Sequence, residues 1–589
     1  MSDDPNTPSK GRPRARGRLF VVLGLALAAM GACGYRFGLT DQTQYLAHYV
    51  ALRWPGSLEG DLYLEAFSAL GSFLWAPLAV VPQRWLPLAA AVLTAGIAGA
   101  SALVLMGLSR ALGVGGRAES AGALALAASA MALVVPKEQN YFGLVSLADV
   151  ELTATLAVLP LVLGSMACFA RGRVRCALLL ALAAVPIHGQ TAAYALGAWC
   201  TGVALCDGRE RGRLALALGV GVAGVLGVLW ARGIGPVNPD AMGDYETLGR
   251  ALYAPLIDLW SVPLQSWIAL AIVLAMGLSA APAFLRDGSA MPPPHRSARE
   301  RLVAYGLGSL AVPALGGLLQ GLGRDEPLLW RLMVPRSLML AQVVSVIIAA
   351  VWATDRIAQG GRERAVGALV LLGVILWPAP GAGHLAAGAL GALVVGLIAG
   401  ASLAPRVGGA SSVRAGGALW HGLALGVCVV FGVWAQWRSG LPWLRDATDA
   451  SWRETQRWAN ENTPRGSRFV TPPYLAGWRI GAHRPTFGEL RDGGLMFYAG
   501  DPALEWERRM RLLGMDRMRA WWWDVPPGDP APEHAALRAQ YAEAIRERWP
   551  EIARESAADY VVMESSAGAG MGDPVWSNGR FGVFRVAGE

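Results

Sequence analysis

The chain has 589 residues, 54% of them hydrophobic and only 16% charged, with 73 glycines and a positive mean hydropathy. That balance excludes an ordinary multidomain soluble protein and a disordered chain, and it points to a polytopic α-helical membrane protein with glycine at helix packing surfaces. The formal net charge of +8 excludes no membrane reading and argues for no nucleic-acid partner, because most arginines fall in short loops between apolar runs, where they report topology.

Residues 1–18 form a basic tail with Lys10, Arg12, Arg14, Arg16 and Arg18, followed by the apolar run 19–34. A basic segment before a span keeps the N-terminus cytoplasmic, so this run is expected to be a first anchor and not a cleaved signal. An acidic first outer loop, residues 35–85, comes next and carries Asp41, Glu59, Asp61 and Glu65. Its part 62–82 is apolar but interrupted by Glu65, Ser68, Ser72, Trp75 and Pro77, and it is expected to lie along the outer surface as an amphipathic helix.

Further spans are expected at 86–109, 119–135, 151–170, 174–187, 190–206, 213–231, 264–285, 302–322, 332–353, 365–380, 384–404 and 417–436, about thirteen in all. With this set the arginine-rich loops, such as Arg171 to Arg175 and Arg286 to Arg301, all fall on the cytoplasmic side, and residues 437–589 fall outside it. The six cysteines lie in or beside apolar runs. They offer no disulfide framework and no CxxC metal site, and read as small packing residues.

Residues 437–589 have the composition of a small α/β domain. A helix is expected at Asp446–Asn462, stopped by Asn462-Thr463-Pro464. Strands are expected at Arg468–Thr471, Trp478–Ile480, Tyr560–Met563 and Phe581–Val586, with helices at Pro502–Leu513 and His534–Trp549.

The loop GLTDQTQYL…EGD, the sequence VPIHGQ at the end of a later apolar run, and the set Trp458, Asn462-Thr463-Pro464, Phe469 and Pro472-Pro473 resemble uncharacterised bacterial members of the GT-C superfamily of membrane glycosyltransferases. The resemblance implies an integral inner-membrane protein that moves a sugar from a polyprenyl-phosphate-linked donor to an extracytoplasmic acceptor. It also implies that carboxylates of the first outer loop act as catalytic base or hold a divalent metal. Gln42 stands where the mannosyltransferases of that group carry a second acid, and the GxD spacing of the oligosaccharyltransferases is absent at Asp41.

Transfer with inversion needs a base for the acceptor proton and a counter-charge for the departing phosphate. Asp41 is the candidate base; its alternative role is to cap a helix at Gln42–Leu52. Asp61, Asp149 and Glu151 are the candidate ligands of Mg²⁺ or Mn²⁺, or else helix caps and dipole partners. His188, in an apolar hairpin tip, and Arg331 and Arg336 are the candidate substrate-binding residues; a guanidinium suits bidentate phosphate binding. Trp521-Trp522-Trp523-Asp524 is a weaker acceptor-site candidate, equally readable as core or interfacial belt. The competing reading is a non-enzymatic carrier or scaffold for a lipid-linked sugar or a partner protein. Against a carrier stands the scarcity of acids inside the spans.

Overall fold

The computed structural model describes residues 26, 30, 35, 37, 40–67, 74–114, 152–206, 208–233, 239–322, 332–359, 449–497, 500–515, 532–565 and 571–586. The membrane part begins with three short helices of the first loop, α1 (Thr40–Arg53), α2 (Leu62–Phe67) and α3 (Trp75–Leu78). With 6 and 4 residues, α2 and α3 are each far too short to cross a bilayer.

Long apolar helices follow. These are α4 (Leu86–Ala111), α5 (Ala154–Ala170), α6 (Val174–Ala184), α7 (Gly189–Cys206), α8 (Gly208–Gly233), α9 (Met242–Ile257), α10 (Leu264–Ser289), α11 (Pro293–Ser309), α12 (Ala311–Gly321) and α13 (Met339–Gln359). Local chemistry sets several ends. Pro87 opens α4, where a missing N–H costs nothing. Thr153 caps α5 by accepting from Leu156 N at 3.1 Å. Four segments, Gln83–Ala111, Ser266–Ser289, Pro293–Gly321 and Val334–Ala353, are long and apolar enough to cross a membrane, while α5 and α6 are shorter apolar helices. The described helices therefore carry four such spans against the roughly thirteen expected. The expected spans at 19–34, 119–135, 365–380, 384–404 and 417–436 lie wholly or mostly outside the described residues.

Glycine lets these helices touch. A Cβ on Gly308 would sit 2.6 Å from Ala198 O, which brings α11 onto the backbone of α7. A Cβ on Gly277 would lie 2.6 Å from Ser345 Cα, which joins α10 to α13 in the same way. Backbone cannot yield as a flexible side-chain tip can, so Gly277→Ala is expected to cost about 1–3 kcal/mol through overpacking. Thermal unfolding of the detergent-solubilised protein checks this, and an unchanged midpoint would mean that α10 and α13 part freely.

The two ends of the bundle differ. At one end the buried Arg299 guanidinium donates to Leu112 O at 2.9 Å, Phe284 O at 2.8 Å and Asp355 Oδ2 at 2.8 Å. It thereby ties the ends of α4, α10 and α13 to the start of α11. Arg171 donates to Gly107 O, and Arg356 pairs with Asp287 at 3.4 Å. The opposite end carries the C-terminal domain: Gln83 Nε2, just before α4, donates to Ile480 O at 3.0 Å, and Tyr245 of α9 donates to Met496 O.

The C-terminal domain comprises α14 (Ala450–Asn462), β1 (Phe469–Val470), α15 (Trp478–Ala482), a 3-10 helix (Leu490–Phe497), α16 (Gly500–Leu512), α17 (Pro532–Ser556), β2 (Tyr560–Glu564), β3 (Trp576–Ser577) and β4 (Phe581–Arg585). The sheet order is β1-β2-β4-β3, with β1 parallel to β2 and the other pairs antiparallel. Alternation along the strands sorts the core into two faces. Val562, Phe581 and Val583 join Trp452, Phe469 and Trp478 on one side. Val561, Met563 and Phe584 join Trp506, Met510, Tyr541 and Ile545 on the other, in a core continuous with that of the membrane part. Asp449 starts α14 by accepting from Ser451 N at 2.8 Å and Trp452 N at 3.2 Å.

One expected strand is a helix. Residues 478–480 belong to α15, because Gly477 turns into the left-handed region (φ 85°), and the carboxylate of Glu489 accepts from Gly477 N and Trp478 N at the helix start.

Candidate functional site

The first loop and the C-terminal domain meet through a cluster of buried charges. Asp61 ends a turn built by Gly56 and Gly60, both at positive φ, and starts α2 by accepting from Leu64 N with Oδ1 at 3.3 Å. Its Oδ2 accepts from Arg479 Nε at 2.8 Å and from Thr486 N at 3.2 Å. Arg479 turns its other edge to Asp492 in a bidentate pair, Nη1 to Oδ1 at 2.9 Å and Nη2 to Oδ2 at 2.7 Å. Glu489 stands further off, 3.8 Å from Nη1. It accepts instead from Trp478 N at 2.9 Å and Gly477 N at 3.2 Å. The Tyr63 ring lies 5.2 Å under the guanidinium.

All four charged side chains are at most 3% exposed, so each charge relies on its partners and not on water. Burial, joined by the charge of Asp492, pushes Glu489 up to about 7 against the opposing pull of Arg479 and the two N–H groups. Burial likewise raises Asp492. On α1, burial and then the charge of Arg479 hold the imidazole of His48 neutral down to about 4, against the pull of Asp61. Further contacts extend the junction: the Trp54 and His483 rings are 3.9 Å apart, and Tyr49 donates to Val81 O at 2.9 Å.

A second group of polar side chains lies at the same end of the bundle. His188, in the turn between α6 and α7, accepts at Nδ1 from Thr191 N at 3.2 Å, and its Nε2 is 3.4 Å from Thr155 Oγ1. A neutral ring therefore carries its proton on Nε2. Tyr194 donates to Leu332 O and, at 3.3 Å, to Met333 O. It thus ties α7 to the left-handed residue Met333 (φ 43°) and the 3-10 turn Val334–Leu338. That turn holds Arg336 within electrostatic reach of His188. Arg336 Nε is buried with no hydrogen-bond partner among the described residues. Helix α9 contacts both this turn and α16.

The structure thus sets Arg336 within electrostatic reach of His188, and it gives Asp61 the helix-capping part expected as the alternative to metal ligation, together with a buried ion pair to Arg479. A metal ligand needs free oxygen lone pairs. Three of the about four acceptor positions of the Asp61 carboxylate are taken by Arg479, Leu64 N and Thr486 N, and its charge is paired with Arg479, so Asp61 is poorly placed to hold Mg²⁺ or Mn²⁺. Asp149, Glu151, Arg331 and residues 521–524 lie outside the described residues. Asp41 occupies the first turn of α1, which begins at Thr40 and not at Gln42. A capping role for Asp41 would need it just before the helix.

Sequence reasoning missed Arg479, Glu489 and Asp492. Arg479 did leave a signal: an arginine between Trp478 and Ile480 in a polar domain marks a buried guanidinium, which calls for carboxylates. Residues 450–513, which contain Arg479, Glu489 and Asp492, match the model of a domain of unknown function, DUF6798. No curated protein matches the chain.

Proposed function

We propose that the chain is a GT-C-type glycosyltransferase of a bacterial inner membrane, with about thirteen spans, the arginine-rich end in the cytoplasm and the C-terminal domain outside. A polyprenyl-phosphate-linked sugar is the donor. The observation that carries the reading is Arg336 lying within electrostatic reach of His188 at the end of the bundle where the C-terminal domain and the first loop lie. A guanidinium whose Nε has no hydrogen-bond partner among the described residues suits a lipid phosphate.

In the proposed reaction Asp41 takes the proton of the acceptor hydroxyl, and the acceptor oxygen bonds to the anomeric carbon. The bond from that carbon to the phosphate oxygen breaks, and Arg336 offsets the charge left on the phosphate. If a divalent metal takes part, Asp149 and Glu151 are the candidates to hold it, and no step here runs through it. The polyprenyl chain sits among membrane lipids, and the acceptor arrives from the outer side.

One observation favours the scaffold reading instead. Gln42, Thr43, Gln44 and His48, polar residues of α1, are buried, with Gly494 beside Gln44. The two readings separate in proteoliposomes given a labelled polyprenyl-phosphate sugar. A transferase cleaves the donor, and Arg336→Gln weakens donor binding roughly 10–100-fold, the scale of a lost charge-assisted contact. Donor that is neither bound nor cleaved would leave the scaffold. Sidedness is read separately at Gly466→Cys, an exposed position with open space around a new Cβ; the neighbouring Ser467 is buried and unsuitable. Reaction with an impermeant thiol reagent in intact cells is expected, and labelling only after permeabilisation would reverse the topology.

A further inference from the structure

We propose that Glu489 is the proton-holding member of a latch that closes residues 477–497 over α1, and that the latch loosens as pH rises. The charge count requires a proton. One guanidinium faces three fully buried carboxylates, and an uncompensated buried charge is costly enough that such a site takes up a proton instead. Asp61 and Asp492 bond the guanidinium directly at 2.7–2.9 Å, whereas Glu489 does not, so Glu489 is the acid that gains least from staying ionised.

Among the groups facing the cluster from adjoining elements, the Arg468 guanidinium lies against Gly60, the residue before Asp61, and Arg479 is the cation that acts on Glu489. His48 of α1 is neutral, and Tyr63 of α2 offers its ring. Gln456 of α14 donates to Gly477 O at 3.0 Å, and Trp506 of α16 donates to Glu489 O at 2.9 Å. Arg509 of α16 is bonded to Glu505 and Phe487 O.

Glu489 also holds the start of α15 through its bonds to Gly477 and Trp478. A Cβ on Gly477 would lie 3.6 Å from the Thr43 methyl, so α15 rests on α1. A charge that appears on Glu489 therefore acts on the segment that meets Thr43 and Gln44 of α1. The folded chain holds the proton up to about 7, whereas a free glutamate releases it near 4.5. Between those values the closed form binds more protons than the open one. Closure is thus strongest below the lower value, weakens as pH rises through the window and levels off above it. The latch works whether or not the chain transfers sugar.

Amide hydrogen exchange of the full-length protein in nanodiscs tests it, with rates for 40–53 corrected for intrinsic exchange. Opening is expected to be at least about tenfold more frequent at pH 8 than at pH 5. In Glu489→Gln, which mimics the protonated acid, it is expected to change less than about twofold. A flat wild-type profile, or an undiminished slope in Glu489→Gln, would overturn the latch. If that variant does not fold, infrared difference spectra of the wild type decide. A buried carboxylic-acid band that titrates near neutral pH is expected, and a spectrum with no such band overturns the proposal.

Discussion

Arg479→Met is expected to undo the junction between the first loop and the C-terminal domain. The substitution keeps an apolar stem of similar reach but leaves Asp61, Glu489 and Asp492 buried without their cation. Removing one partner of a buried ion pair costs about 3–5 kcal/mol, more than a surface pair ever contributes. Protonation of a second carboxyl recovers part of this only at lower pH. The loss is expected as a lower thermal midpoint and as new protease cleavage within 477–497. Neutralising the acids as well, with Asp61→Asn, Glu489→Gln and Asp492→Asn on the Arg479→Met background, is expected to recover much of the stability, because an uncharged cluster carries no stranded charge. Wild-type stability in Arg479→Met alone would show that these charges do not hold the domain.

The second large effect concerns Asp41. If it is the base, Asp41→Asn leaves the protein folded and inserted and lowers sugar transfer by at least about two orders of magnitude, the usual scale of a lost general base. Arg336→Gln has a different signature, raising the donor KM more than it lowers kcat, because it acts on a group present in the ground state as well. Asn is itself a good cap, so a capping role predicts an almost silent Asp41→Asn. Since α1 starts at Thr40, residue 41 lies in the first turn, where a carboxylate also interacts favourably with the helix dipole, by about 0.3–1 kcal/mol. Unchanged transfer in Asp41→Asn would remove the residue from the mechanism and favour the scaffold.

The helices within 86–111, 154–206 and 264–353 were legible because long apolar runs are local signals. The helix end at Asn462 and the strands at Tyr560–Glu564 and Phe581–Arg585 follow from patterns a few residues long. The three residues from Trp478 to Ile480 were too few to tell a strand from a helical turn, and what decides the matter is the distant Glu489. The charge cluster was illegible for the same reason. Asp61 looks like a lone acid at a helix start, a description that fits a metal ligand and a cap equally well, and nothing near it in sequence announces Arg479. His188 and Arg336 were legible as types, an ionisable group and a guanidinium at span ends. Their meeting depends on how α7 packs against the turn before α13.

Asp61 and Arg479 are separated by 418 residues of chain. At roughly 5–20 residues per second of synthesis, the partner of Asp61 does not exist until about 20–80 seconds after the first loop has emerged. Throughout that interval the acid must be kept in water, because inside the growing bundle it would be an unpaired charge. The turn-rich stretch Trp54-Pro55-Gly56-Ser57 before it is a segment that can wait in solvent without committing to a helix. The junction is therefore among the last contacts to form, and it registers that both ends of the chain have arrived on the same side.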